Sequence, residues 1–94
     1  MGDRLIEFTG TECVHCKELT PLIERLEKEE KVKITSLEVW HDKENFEFMR
    51  SVDKDDKDNV FCGGVPFLFN EKTGAKLCGV VDYEKLKEWA LGNA

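Results

Sequence analysis

The apolar and polar positions change period several times along the chain. Leu5, Ile6 and Phe8 make a short apolar run broken by Glu7, which predicts a strand. Leu19, Leu22, Ile23 and Leu26 then recur at i, i+3, i+4 and i+7, one face of a helix predicted from Cys13 to near Lys28. Pro21 falls inside it, and a residue that donates no hydrogen bond and crowds the preceding turn predicts a kink. Val32 to Trp40 reads as a second strand, with Val32 and Ile34 in one phase and Leu37 and Val39 in the other. Asp42 is placed to cap a short helix carrying Phe46, Met49 and Val52. The run DKDDKDN, residues 53–59, reads as a solvated loop. A calcium loop starting at Asp53 would want an oxygen ligand at Lys57 and a glycine at Asp58. VPFLF and AKLCGVV then flank NEKTG as a hairpin turning at Gly74. Asp82 caps a last helix, YEKLKEWAL, with Leu86, Trp89 and Ala90 inward and Gly92 as its stop.

The predicted order is therefore β-α-β-α-β-β-α, an α/β fold with a four-stranded mixed sheet flanked by helices. The first two strands, joined through a helix, should be parallel with a right-handed crossover. Ninety-four residues suffice for one core, so a single domain over residues 1–94 is expected. Twenty acidic against 14 basic residues, net −6, argue against nucleic acid as a partner, which needs clustered Lys and Arg. No apolar run approaches the roughly 20 residues of a membrane span. The opening MGDRLIEF lacks the basic-then-apolar pattern of a secretory signal, and Ile6 spoils a myristoylation motif at Gly2. A cytoplasmic, monomeric protein is expected.

That address changes how the four cysteines are read. Two disulfides in a small secreted scaffold would suit a chain with a signal and a poor core, and this chain shows neither. Cys13 and Cys16 instead stand where the strand pattern gives way to the helix pattern. At that junction the Cys13 thiol faces the free N–H groups of the first helical turn, which favour a thiolate over a thiol of ordinary pKa ~8.5. Cys16 lies one turn on, beside Cys13, and can close an intramolecular disulfide on a mixed one. The spacing supplies a nucleophile and a resolving group. C-x-x-C also serves zinc sites, so a metal- or iron–sulfur-binding module is the rival reading.

The surrounding residues add a resemblance. C-V-H-C-K followed by Pro21, Val65-Pro66 ahead of a strand, and Gly79 ahead of the last helix together resemble the thioredoxin superfamily, over Arg4 to Leu91. The resemblance implies a minimal thioredoxin-like fold and a thiol–disulfide oxidoreductase. It also implies that Pro66 is a cis-proline opposite the cysteines, that Gly79 helps form the substrate groove, and that substrate backbone pairs with Val65. Glu7 matches a buried carboxylate that relays the proton of the resolving cysteine, and burial would raise its pKa to suit. Its alternative is a side chain pointing to solvent. The chain starts at the first strand, as glutaredoxins do. It departs from thioredoxins in Glu12, where they carry an aromatic residue, and in Val14-His15, where they carry Gly-Pro. It departs from glutaredoxins in Gly64 before Val65-Pro66, where they carry threonine.

His15 inside the motif would stabilise the Cys13 thiolate and make the couple more oxidising, as the resemblance to protein disulfide isomerases implies; otherwise it is an exposed imidazole. His41, beside Trp40, reads as a strand-end residue. Cys62 and Cys78 have three readings: small apolar fillers, a second disulfide with a redox or structural role, or ligands of a metal or cluster. Gly63 and Gly64 permit close backbone approach before Val65. The expected function is reduction of protein or small-molecule disulfides by Cys13 and Cys16, with an oxidant or isomerase on the same fold as an alternative. No organic cofactor and no metal is expected, only a reductase or thiol reductant to recycle the pair.

Overall fold

The structure is a computed structural model that describes residues 4–92; residues 1–3, read above for a leader or a lipid signal, and residues 93–94 lie outside the described part. Its elements follow the order β1 (Leu5–Thr9), α1 (Val14–Glu30), β2 (Ile34–Glu38), α2 (Lys43–Val52), β3 (Phe67–Asn70), β4 (Lys76–Cys78) and α3 (Tyr83–Leu91). The sheet order is β2-β1-β3-β4, with β1 parallel to β2 and antiparallel to β3, and β4 antiparallel to β3. The predicted order and mixed sheet are both present.

Strand alternation divides the core into two layers. Leu5, Ile34 and Leu68 face α1 and α3, where Leu19, Ile23, Leu26, Leu86 and Trp89 complete one cluster. Ile6, Phe8 and Phe67 face α2, where Met49, with Val39 just after β2, completes the other. The sheet is thus covered on both faces, which explains why β1 is buried at nearly every position rather than at alternate ones. Phe8 and Phe67 stack at 5.6 Å between centroids, and Phe8 meets Phe48 edge-on at 5.5 Å.

The ends of the helices follow the sequence closely. Asp42 and Asp82 cap α2 and α3 by accepting the N–H groups of Asn45 and Lys85 at 3.0 and 2.9 Å. Gly92 ends α3 in the left-handed region, and Gly74 turns the hairpin there too. α1 ends two residues later than predicted, at Glu30, on Lys31 with φ +54°. Pro21 sits within α1, in the first half of the helix.

Three predictions need correction. The hairpin strands are Phe67–Asn70 and Lys76–Cys78 rather than VPFLF and AKLCGVV. The second strand runs Ile34–Glu38 rather than Val32–Trp40; at its end the Glu38 carboxylate accepts the N–H groups of Trp40 and His41 at 3.1 and 2.8 Å, which turns the chain out of the sheet. The loop 53–59 is not solvated throughout. Asp53 is buried, and its two oxygens accept the N–H groups of Cys62 and Gly63 at 2.6 and 2.8 Å. The rest of that run is exposed, apart from a bridge between Lys54 and Val60. No helix among the described residues is long and apolar enough to cross a membrane.

Candidate functional site

β1 ends at Thr9, and Gly10 to Glu12 lead into α1. Gly10 is required by a close approach: a Cβ there would collide with the Trp40 indole ring. The loop is tied to the β2–α2 connection by other contacts too. Glu38 accepts the Thr11 N–H at 3.0 Å, and the His41 Nε2 lies 2.9 and 3.0 Å from the two Glu12 oxygens. The Glu12 hydrogen bond, then its charge, raises the His41 pKa above its ordinary value. Burial pushes the Glu38 carboxyl up, but the N–H donors of His41, Thr11 and Trp40 outweigh it and hold the carboxyl below its usual range. His41 therefore does more than end a strand: it braces the loop that delivers Cys13.

Cys13 is the N-cap of α1, and the Cys16 N–H donates to its Sγ at 3.1 Å. The helix proper begins at Val14. Cys13 and Cys16 are disulfide-bonded with Cα atoms 5.2 Å apart, and both residues are buried, at 5% and 2% exposure. An N–H aimed at that sulfur, with the helix dipole, would favour the anion once the disulfide is reduced.

The Val65-Pro66 peptide is cis, and the Val65 carbonyl oxygen lies 3.9 Å from Cys13 Sγ. Pro66 is fully buried, and its carbonyl accepts the Gly79 N–H at 2.8 Å; Gly79 takes φ +80° there. Cys13, Cys16, Val65, Pro66 and Gly79 thus meet at one end of the sheet. Val65 is half-buried, and among the described residues neither its N–H nor its C=O takes a backbone partner. Val14 and Val80, neighbours of Cys13 and Gly79 in the chain, are exposed at 66% and 43%.

Glu7 is buried at 5% exposure on the face that packs α1 and α3, paired in register with Ser36 and Leu68. Burial pushes its carboxyl up, the Ser36 hydroxyl donating at 2.9 Å pulls it back, and the charge of Glu27 adds to the rise. The solvent-pointing alternative is thereby excluded; the hydrogen bond goes to Ser36 and not to a cysteine. His15 is exposed, with Nδ1 3.3 Å from Glu18 Oε2, so its ring turns to Glu18 rather than to a sulfur.

Cys62 and Cys78 are joined in a second disulfide, with Cα atoms 5.4 Å apart. Cys78 is exposed at the end of β4, opposite Phe67, while Cys62 is half-buried against the α2 cluster. Among the described residues no three His, Cys, Asp or Glu side chains gather where a metal ion could be held. Two surface clefts, of about 460 and 430 Å³, lie beneath α2 and around Trp40, and neither is lined by a cysteine.

Sequence reasoning missed Asp53, Glu38 and the Glu12–His41 pair. Their partners are 9 and 10 residues away for Asp53, 27 for Glu38 with Thr11 and 29 for the pair, distances at which periodicity carries no signal. Searched against models of protein families and against characterised proteins, the chain finds no match.

Proposed function

We propose that the protein is a thiol–disulfide oxidoreductase with a thioredoxin-like fold, in which Cys13 attacks and Cys16 resolves. One observation carries this reading: Cys13 Sγ caps the first turn of α1, accepts the Cys16 N–H and is bonded to Cys16, with the Val65 carbonyl beside it. A zinc or cluster site would instead need further ligands converging on the pair.

In the reduced protein the Cys13 thiolate attacks one sulfur of a substrate disulfide. The substrate S–S bond breaks, and its second sulfur leaves as a thiolate and takes a proton. Cys16 then loses its proton and attacks the Cys13 sulfur of the mixed disulfide. The Cys13–substrate bond breaks, the first substrate sulfur leaves and is protonated, and the Cys13–Cys16 disulfide remains. Two electrons pass to the substrate. Glu7, a carboxyl held above its ordinary pKa behind α1, serves as the proton acceptor for Cys16, through solvent or after a small approach. An external dithiol or reductase reverses the two exchanges on the protein. The direction in a cell follows from this couple's potential against that of its partners.

The N–H and C=O of Val65, without backbone partners among the described residues, suit an extended peptide pairing alongside it, and Val14 and Val80 offer apolar contact to its side chains. Substrates are therefore disulfides in exposed, extended segments of proteins or peptides. The test is reduction of a peptide disulfide by pre-reduced protein. Cys13→Ser should abolish turnover, and Cys16→Ser should accumulate a mixed disulfide on Cys13, seen as an added mass. Full activity in Cys13→Ser would overturn the assignment.

A further inference from the structure

The segment that faces Cys13 is held from two sides. Asp53, buried at the end of α2, accepts the N–H groups of Cys62 and Gly63 with separate oxygens at 2.6 and 2.8 Å. From the other side the Cys62–Cys78 bond fastens the same segment to β4, one residue before Gly79, whose N–H holds the Pro66 carbonyl. Between Cys62 and Val65 lie Gly63, at φ +76°, and Gly64, where an added Cβ would meet nothing within 4 Å. Two consecutive glycines, with no side chains of their own, leave the segment little to resist motion.

The second bridge also presents its sulfurs unequally. Cys78 is exposed and Cys62 half-buried, so an incoming thiolate reaches Cys78 first. The buried partner is already provided for: Cys62 Sγ lies 3.5 Å from the Gly64 carbonyl and 4.0 Å from that of Pro66, acceptors for an S–H once the bond opens.

We propose that Cys62–Cys78 is a second redox couple, opened by dithiols at Cys78, whose state sets how firmly the Val65 segment is held opposite Cys13. In the first exchange a donor thiolate attacks Cys78 Sγ, the Cys62–Cys78 bond breaks, and Cys62 leaves as a thiolate and is protonated. The donor's second thiolate then attacks its own sulfur in the mixed disulfide, releasing Cys78 as a thiol. The donor dithiol is oxidised to a disulfide and the bridge is reduced. The oxidised bridge holds the docking edge in place; the reduced one loosens Cys62 to Gly64. That functional consequence rests on Cys13–Cys16 being the working pair, whereas the existence of the couple does not.

The test uses Cys13→Ser/Cys16→Ser protein, in which only the second couple remains. Equilibrated with graded dithiothreitol buffers under native conditions, Cys62 and Cys78 should open and close reversibly, followed by alkylation and mass spectrometry. On reduction the amides of Cys62 and Gly63, which Asp53 holds in the oxidised protein, should exchange with deuterium at least about tenfold faster, while those of β1 stay unchanged. A bridge that opens only in denaturant overturns the couple, and unchanged exchange at these amides overturns the loosening. In wild-type protein reduced only at this bridge, or in Cys62→Ser/Cys78→Ser, the KM for a peptide disulfide should rise about threefold or more with kcat nearly unchanged. An unchanged KM overturns the link to docking. A wild-type protein without any disulfide reductase activity would refute the proposed function and leave the couple standing.

Discussion

Cys13 stands where a thiolate would be favoured: a sulfur at this cap receives an N–H that a mid-helix cysteine would not. Glu7 shows the opposite arrangement, a carboxylate in a place that disfavours charge. Burial raises its pKa, so the native state holds a proton more readily than the unfolded chain does. The sign of the linkage follows: stability is greatest below the unfolded carboxyl's range and falls as pH rises towards the raised native value. Glu7→Gln removes that penalty while keeping a group that can bond Ser36. It should raise the Tm at pH 8 by on the order of 5 °C, the shift that about 1 kcal/mol produces in a domain this size. The gain should vanish in melts at pH 4, and it should come with slower resolution of the mixed disulfide if Glu7 accepts the Cys16 proton. A Tm gain equal at both pH values would mean that packing, not charge, is responsible.

Among the elements, α1 and β3 do most to place the site. β3 lies between β1 and β4, with Phe67 and Leu68 buried on opposite faces, so it carries both core clusters and ends the segment that includes Val65 and Pro66. Leu68→Ala should cost about 2–5 kcal/mol in chemical denaturation, because the cavity would open between α1, α3 and the sheet where neighbours are already close-packed. A loss below about 1 kcal/mol would show that the layer collapses to fill it. Much of this level was legible in the sequence. The repeat through Leu19, Leu22, Ile23 and Leu26, the caps Asp42 and Asp82, and the stop at Gly92 are local signals, each read within one turn of where it acts. The end of β2 was not legible, since Glu38 looks like any surface carboxylate until Thr11, Trp40 and His41 are brought to it. Asp53 failed for the same reason: in DKDDKDN one aspartate of four is buried, and only the return of the chain at Cys62 selects which. The pairing of Cys62 with Cys78 depends likewise on β4 lying beside β3, a fact of register rather than of composition.

The whole molecule has a radius of gyration of 12.3 Å, against roughly 12 Å for a single domain of its length. It carries a net charge of −6, with Glu12 and Glu18 exposed on either side of the cysteine motif. An acidic surface attracts cationic chains and repels anionic ones over about 10 Å at 0.1 M salt. Reduced protein should therefore act faster on a lysine-flanked peptide disulfide than on its glutamate-flanked counterpart, and the ratio should shrink towards one by roughly 1 M salt, where screening reaches about 3 Å. A ratio that ignores salt would place recognition in direct contacts instead. All of this presupposes that Cys13 and Cys16 exchange electrons as a pair. The most direct measurement is the reduction potential of that couple in anaerobic thiol buffers, with each cysteine followed separately by alkylation and mass spectrometry. The account predicts a reversible two-electron midpoint, with a value near −270 mV marking a reductase and one towards about −180 to −120 mV an oxidant or isomerase. Failure of Cys13 and Cys16 to join in any buffer would contradict it.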